Sequence, residues 1–165
     1  MSVLLYEYLF IEAPQHGAEG FWGDVGAGIL LFAADTERFL VLQRSMKIQQ
    51  GGTWGIPGGA LDSKKEGTFE GAKREMNEEI GMVPELIRVI PAYVFTSPRG
   101  SFKYHNFIAV TLREFVPNLS DGESINYKWL TLPELKKLPN KHFGLAALLA
   151  NSGDIIEALV NPEEF

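Results

Sequence analysis

The sequence predicts an α/β fold, a β-sheet with helices on both sides, and three observations carry that reading. Short apolar runs separated by a polar turn stand in the first third of the chain, the pattern of strands in a hairpin. A helical apolar stripe follows near residue 70, framed by glycine-containing loops. Two β-rich runs joined by another turn come next, and the chain then carries repeated helix-start signals. Sequence order alone leaves open whether the sheet is mixed or closes into a partial barrel.

Each element has its own justification. Residues Val3 to Ile11 alternate loosely and suit a strand. Gly26 to Phe32 and Arg38 to Gln43 are apolar runs joined by Ala34-Asp35-Thr36-Glu37, a hairpin signal. At about 100° per residue, Phe69, Ala72, Met76 and Ile80 share one stripe, which predicts a helix over 69–80. Thr68 is the expected N-cap, Glu70 suits the positive end of the first turn, and Gly81 suits the left-handed residue that stops a helix. Leu86 to Thr96 and Phe102 to Leu112 read as strands around the turn Ser97-Pro98-Arg99-Gly100. Tyr127 to Thr131 reads as a last strand. Thr131-Leu132-Pro133-Glu134 has the form of a capping box with Pro where a helix tolerates it. His142 to Ala150 is an expected apolar helix, and Asp154-Ile155-Ile156-Glu157 a looser cap opening a terminal one. No repeat, low-complexity tract or linker divides residues 1–165, so a single domain is expected, long enough to bury about 70% of the surface its unfolded chain exposes.

Composition excludes several classes. With 45% hydrophobic and 22% charged residues the chain reads as globular, and with no cysteine it has neither a disulfide framework nor a thiolate metal site. The start, MSVLLYEYLFIEA, lacks a basic leader and is interrupted by Glu7, so it reads as neither a signal peptide nor a membrane span, and a cytoplasmic location is expected. The net charge of −6, without a Lys/Arg run, argues against nucleic-acid and membrane partners. A small polyphosphate compound would also be repelled unless metal ions screened both sides.

The chemistry concentrates in Arg74-Glu75-Met76-Asn77-Glu78-Glu79. Glu75 lies three residues from Glu78 and four from Glu79, so the three carboxylates share one helix flank and their tips can converge. Charges on one side of an amphipathic helix are commonly a solvated face. Here like charges at that spacing weaken the helix, and a cluster of hard oxygen donors makes sense around a divalent cation such as Mg²⁺ or Mn²⁺.

Pro57, Gly58, Gly59, Glu66, Arg74, Glu75, Met76, Glu78, Glu79, Gly81 and Met82 together resemble the signature of the Nudix hydrolases, which cleave a nucleoside diphosphate linked to another group. The spacing from Glu66 to Arg74 fits the family pattern, whereas the loop Ala60 to Lys65 is one residue too long. The resemblance implies an α/β/α sandwich around a mixed sheet. It also implies Mg²⁺ or Mn²⁺ held by Glu75, Glu78, Glu79 and the Gly58 carbonyl, with Glu78 and Glu79 in the catalytic set. Arg74 would orient Glu66 or a neighbouring carboxylate; the plain alternative is a surface ion pair. A further carboxylate from outside the motif is expected, as ligand or general base. Glu123, six residues before Trp129, is the best candidate, ahead of Glu114 and Asp62.

Substrate contacts are thinner. Arg44 at a strand end is a candidate phosphate grip, with Glu66 in the same binding set. Phe21 and Trp22 are candidates to stack a nucleobase, against a plain core-edge role. Tyr104 and His105 read as structural. Pro98, sixteen residues past Met82, stands where relatives that hydrolyse ADP-ribose carry a proline, although a hairpin turn explains it equally. The leading expectation is thus metal-dependent hydrolysis of the pyrophosphate bond in ADP-ribose or a sugar-nucleotide-like compound. The alternatives are a house-cleaning nucleoside triphosphate pyrophosphohydrolase and a nucleotide-binding module without catalysis. A homodimer paired through the apolar N-terminal strand is also open.

Overall fold

The computed structural model describes residues 25–63, 65–98 and 101–164. The expected strand Val3 to Ile11 and the aromatic pair Phe21 and Trp22 lie outside those residues.

Strand β1 (Val25–Ala33) is buried along all but its first residue, as a strand covered on both faces must be. It runs parallel to β6 (Lys103–Thr111), from Val25 opposite Lys103 to Ala33 opposite Thr111. With β2 (Arg38–Arg44) it pairs antiparallel only at Phe32↔Phe39 and Ala33↔Arg38, beside the expected turn. The strands then part. The first half of β1 pairs instead with β4 (Gly58–Ala60), Gly28 opposite Gly58. The length of β2 is taken up by β3 (Trp54–Gly55) and β7 (Ser124–Leu130). Strand β5 (Arg88–Thr96) joins the outer side of β6 antiparallel, with a bulge between Pro91 and Val94. Pro91 has no N–H to donate, which an edge strand accommodates. The order β3-β2-β1-β6-β5, with β4 on β1 and β7 on β2, is a mixed sheet, which resolves the alternative the sequence leaves open.

Alternation along β1 builds two cores. Leu30 and Phe32 pack on one face with Leu132, Leu135, Leu145, Leu148 and Ile156 from the C-terminal helices. Ala27, Ile29 and Leu31 pack on the other with Ala72, Met76 and Ile80. Those last three lie on α1 (Thr68–Ile80), with Phe69 packed at their margin 5.2 Å from the Phe107 ring, so the predicted stripe is the buried one. The result is an α/β/α sandwich. No single helix among the described residues is long and apolar enough to cross a membrane.

Helix ends agree with the sequence in part. Gly81 closes α1 in the left-handed conformation (φ 78°), its N–H bonded to the Asn77 carbonyl. The cap at the other end is Gly67 rather than Thr68: the Gly67 carbonyl accepts the first helical bond, from Gly71, and Thr68 is already helical. The capping box Thr131/Glu134 is complete and opens α2 (Leu132–Lys137). His142 caps α3 (Phe143–Asn151) through Nδ1, which accepts the Gly144 N–H at 2.9 Å. The terminal helix α4 (Gly153–Val160) begins at Ser152, with Asp154 already inside its first turn. The Ser152 hydroxyl gives α4 no cap bond because it accepts the Tyr93 N–H from β5. Strand β7 starts three residues before the expected Tyr127, so Ser124 directly follows Glu123.

Candidate active site

The loop between β4 and α1 and the start of α1 form one polar assembly around Arg74. Its Nε donates to Glu66 Oε2 at 2.9 Å, Nη1 to Glu75 Oε1 and Glu78 Oε1 at 3.0 Å each, and Nη2 to the Ala60 carbonyl at 2.9 Å. Asp62, in the over-long loop, closes on the same guanidinium, its Oδ2 2.9 Å from Nε. The Asp62 N–H donates to Glu66 Oε1, so the extra residue folds the loop back onto the Glu66–Arg74 pair. Hydrogen bonds from Arg74 hold the Glu66 carboxyl below its ordinary range, and the same carboxylates raise the Arg74 pKa further above its usual value.

The three carboxylates of the helix flank are not equivalent. Glu79 is only 7% exposed and accepts the Gly58 N–H at 3.0 Å. Burial raises its pKa well above the ordinary value, opposed by the Gly58 bond and reinforced by Glu75, Glu123 and Asp121. Burial pushes the Glu75 carboxyl up to about 7, with Arg74 opposing and Glu78 and Glu123 adding to the rise. Glu78 is 52% exposed and turned to Arg74. Glu75 and Glu78 are bridged by one Arg74 nitrogen, while Glu79 is held by the Gly58 N–H. Among the described residues no three or more Asp, Glu, His or Cys side chains form a ready-made metal cage. Arg74, a cation within the motif, stands between Glu75 and Glu78 and occupies one oxygen of each.

A divalent cation nonetheless suits the donors. Two acidic groups are held in a desolvated place where burial raises the pKa of both and Glu75 adds to the rise of Glu79, and Arg74 bonds only Glu75. Hard oxygen donors short of positive charge are what Mg²⁺ or Mn²⁺ requires. Gly59 belongs to this arrangement: a Cβ there would come within 2.6 Å of the Glu75 carboxyl carbon.

Glu79 opens onto a cavity of about 270 Å³ that also reaches Arg44, Glu123, Tyr104, Asn106 and His142. Arg44 Nε donates to the Gln49 carbonyl at 2.9 Å, which ties the guanidinium to the loop after β2. Burial lowers the Arg44 pKa, and nearby Glu79, Tyr104 and Glu123 oppose that shift. Glu123 is placed by its backbone: its carbonyl accepts the Ser45 N–H at 2.8 Å and its N–H bonds Asp121 Oδ1. Arg44, Glu79, Glu123 and Gly58 thus meet at one cavity, while Glu66 and Arg74 stand behind them. Glu114 pairs with Arg38 on another part of the surface, and Asp62 belongs to the Arg74 assembly.

Three cavity residues were not read as a site from the sequence. Tyr104 lies flat across neighbouring strands because Gly26, Gly28 and Gly58 leave room; a Cβ at any of them would come within 2.8 Å of its ring or hydroxyl. Burial raises its pKa, and Glu79 adds to that rise. His142 has a pKa lowered to about 4 by burial, with Arg44 adding repulsion, so it is neutral at pH 7. Asn106 is 4% exposed and donates through Nδ2 to the Tyr93 carbonyl. The glycine spacing of GAG at the start of β1 is the sequence feature from which such a slot could have been read.

Comparison with known proteins gives a consistent picture. A family model described as NUDIX domain matches residues 23–151. A Mycobacterium tuberculosis protein named as a candidate 8-oxo-dGTP diphosphatase is 34% identical over 134 residues, which cover 77% of this chain and 61% of that protein. The chain thus spans less than two thirds of that relative's length. The crystal structure of a MutT protein from Methanosarcina mazei superposes with a TM-score of 0.63 at 22% identity, covering 86% of this chain and 95% of that one. The NUDIX domain of Shewanella oneidensis NrtR, solved with ADP ribose, gives a TM-score of 0.58 at 18% identity, covering 100% of each chain. At those identities the structural matches show the fold alone.

Proposed function

The chain belongs to the Nudix hydrolase family, and from that premise we propose that it is a metal-dependent hydrolase of the pyrophosphate bond in a small nucleotide. The observation that carries this reading is the buried Glu79, fixed by the Gly58 N–H next to Glu75 and opening onto a cavity that also holds Arg44 and Glu123. Glu75 and Glu79 would hold the cation. Glu78, on the same Arg74 nitrogen as Glu75, would be the third donor, and the Gly58 backbone lies beside Glu79. A bound cation would supply charge neutralisation at phosphorus and activation of the attacking water.

The protein's own residues do the rest. Arg44 presents the positive charge in the cavity that a phosphate oxygen needs. Glu123 faces the same space on a separately anchored loop and is the candidate to take the water's proton. Arg74 and Glu66 fix the orientation of Glu75. A linked nucleoside diphosphate such as ADP-ribose is the first substrate guess. A second reading, pyrophosphate release from a damaged nucleoside triphosphate, is favoured by the 34% identical mycobacterial relative. The cytoplasm is the working compartment of either reading, and a homodimer is compatible with both.

The test is incubation with Mg²⁺ or Mn²⁺ and a panel of ADP-ribose, sugar nucleotides, dinucleoside polyphosphates and oxidised triphosphates. Two phosphomonoesters identify the first reading, a monophosphate plus pyrophosphate the second. Glu79→Gln, nearly isosteric, should lower turnover by about a hundredfold or more while the protein stays folded. Full activity in that variant, or none in the wild type on any compound, overturns the proposal.

A further inference from the structure

Part of the cavity lining is not used by the hydrolytic chemistry. It comprises Tyr93, Phe95, Phe143, Asn106 and His142, with the Phe95 and Phe143 rings edge-to-face at 5.7 Å. Two polar atoms of this set are fixed in role. The Gly144 N–H donates to His142 Nδ1, so the neutral ring carries its proton on Nε2. Asn106 Nδ2 faces the Tyr93 carbonyl, an acceptor, so Oδ1 is the free end of the amide. Neither His142 Nε2 nor Asn106 Oδ1 has a partner among the described residues. No side-chain polar atom there is both sealed from solvent and unsatisfied, so both must open onto the cavity their residues line.

The helix cap explains why position 142 accepts a histidine at Nδ1, but it does not explain the Nε2–H turned to the cavity. Nor is this a second anion grip. Burial keeps His142 neutral far below pH 7, and the formal charge in the cavity belongs to Arg44, Glu79 and Glu123. One neutral donor and one neutral acceptor between aromatic walls match a flat heteroaromatic ring whose edge offers an acceptor next to a donor.

We propose that this part of the cavity is a nucleobase pocket in which His142 Nε2–H and Asn106 Oδ1 read the base edge. This rests on the cavity being the substrate site. It assigns the base to described residues rather than to Phe21 and Trp22, and it orients the nucleotide with its phosphates at Arg44 and Glu79.

Binding of hydrolysis products tests it without requiring turnover. Affinities of GMP, AMP, N1-methyl-GMP and ribose 5-phosphate are measured by calorimetry on the whole protein and on His142→Ser. Serine keeps the helix cap but spends its hydroxyl there, so the fold is retained and the cavity donor is lost. The wild type should bind at least one of GMP and AMP about tenfold or more tighter than ribose 5-phosphate. N1-methylation should weaken GMP by about fivefold, and His142→Ser should weaken the preferred mononucleotide by a similar factor, the value of one hydrogen bond. The inference is overturned if ribose 5-phosphate binds as tightly as both mononucleotides, if none of the four binds at millimolar concentration, or if His142→Ser leaves the base contribution intact. A base preference with no turnover on any substrate would refute the hydrolase reading and leave the pocket standing.

Discussion

Replacing Arg74 tests the polar assembly most directly. In Arg74→Ala, Glu66, Glu75 and the Ala60 carbonyl lose their partner together. The side chains of Glu66 and Glu75 are only 16% and 14% exposed, so water replaces those bonds incompletely. Two charge-assisted bonds at about 2 kcal/mol each and one to a neutral carbonyl at about 1 kcal/mol give a gross loss of about 5 kcal/mol. Glu78 and Asp62, each 52% exposed, add almost nothing. Rehydration of the site and protonation of Glu75, already near neutrality in its pKa, recover part of that loss. A destabilisation of about 3 kcal/mol is expected. Urea denaturation at pH 7 in EDTA, with wild type and Arg74→Lys alongside, measures it. Lysine restores the charge but cannot span Glu66, Glu75 and the carbonyl at once, so it should recover a minority of the loss. A shift below about 1 kcal/mol for Arg74→Ala would refute the reasoning, because the guanidinium would then be an ordinary surface charge.

Adjacent glycines of the motif should separate fold from function. Gly59→Ala puts a methyl against the carboxyl end of Glu75, so turnover and Mn²⁺ affinity should fall about tenfold with a smaller change in the denaturation midpoint than Gly58→Ala. Gly58→Ala meets the backbone of Ala27 and Gly28 as well as Tyr104, and the protein should be too unstable to purify folded. Gly81→Ala forces a left-handed residue with its Cβ 3.0 Å from that of Asn118, a cost of about 1–2 kcal/mol visible in the same urea assay. His142 predicts a pH dependence. Its folded pKa of about 4 lies below the ordinary 6.5, so the unfolded chain takes up the proton first as pH falls. The stability it contributes is complete above pH 6.5 and is lost towards pH 4, by at most about 3 kcal/mol. The difference between wild type and His142→Ser across that window isolates it, and parallel pH profiles would refute it.

What the sequence disclosed follows physical lines. The stripe Phe69–Ile80 was legible because burial on one face imposes a period, and Gly81 because few residues tolerate φ near +78°. Strands β3 and β4 were not, since two or three residues of Trp, Gly and Ala cannot display alternation. The Thr68 cap failed by one position because a glycine carbonyl serves as well as any other to accept the first helical bond. The cap read at Asp154 failed because Ser152, spent on β5, still starts the helix. In the site, helical spacing put Glu75, Glu78 and Glu79 on one flank. It could not show that one Arg74 nitrogen would bridge Glu75 and Glu78. His142 and Asn106 were invisible as a pair because residues 36 apart in sequence come to one cavity only in the folded chain. Glu123, singled out by its distance from Trp129, lines the cavity with its carbonyl bonded to the Ser45 N–H after β2.

The slot that seats Tyr104 has a separate consequence. Its shape is set by three missing side chains on β1 and β4, none of them charged. One added methyl at Gly28 would meet the Tyr104 hydroxyl and also, at 2.9 Å, the Pro57 carbonyl, on the same peptide as the Gly58 N–H that holds Glu79. The shape of the chamber and the seat of the buried acid therefore hang on one peptide, and a change in the first is felt by the second.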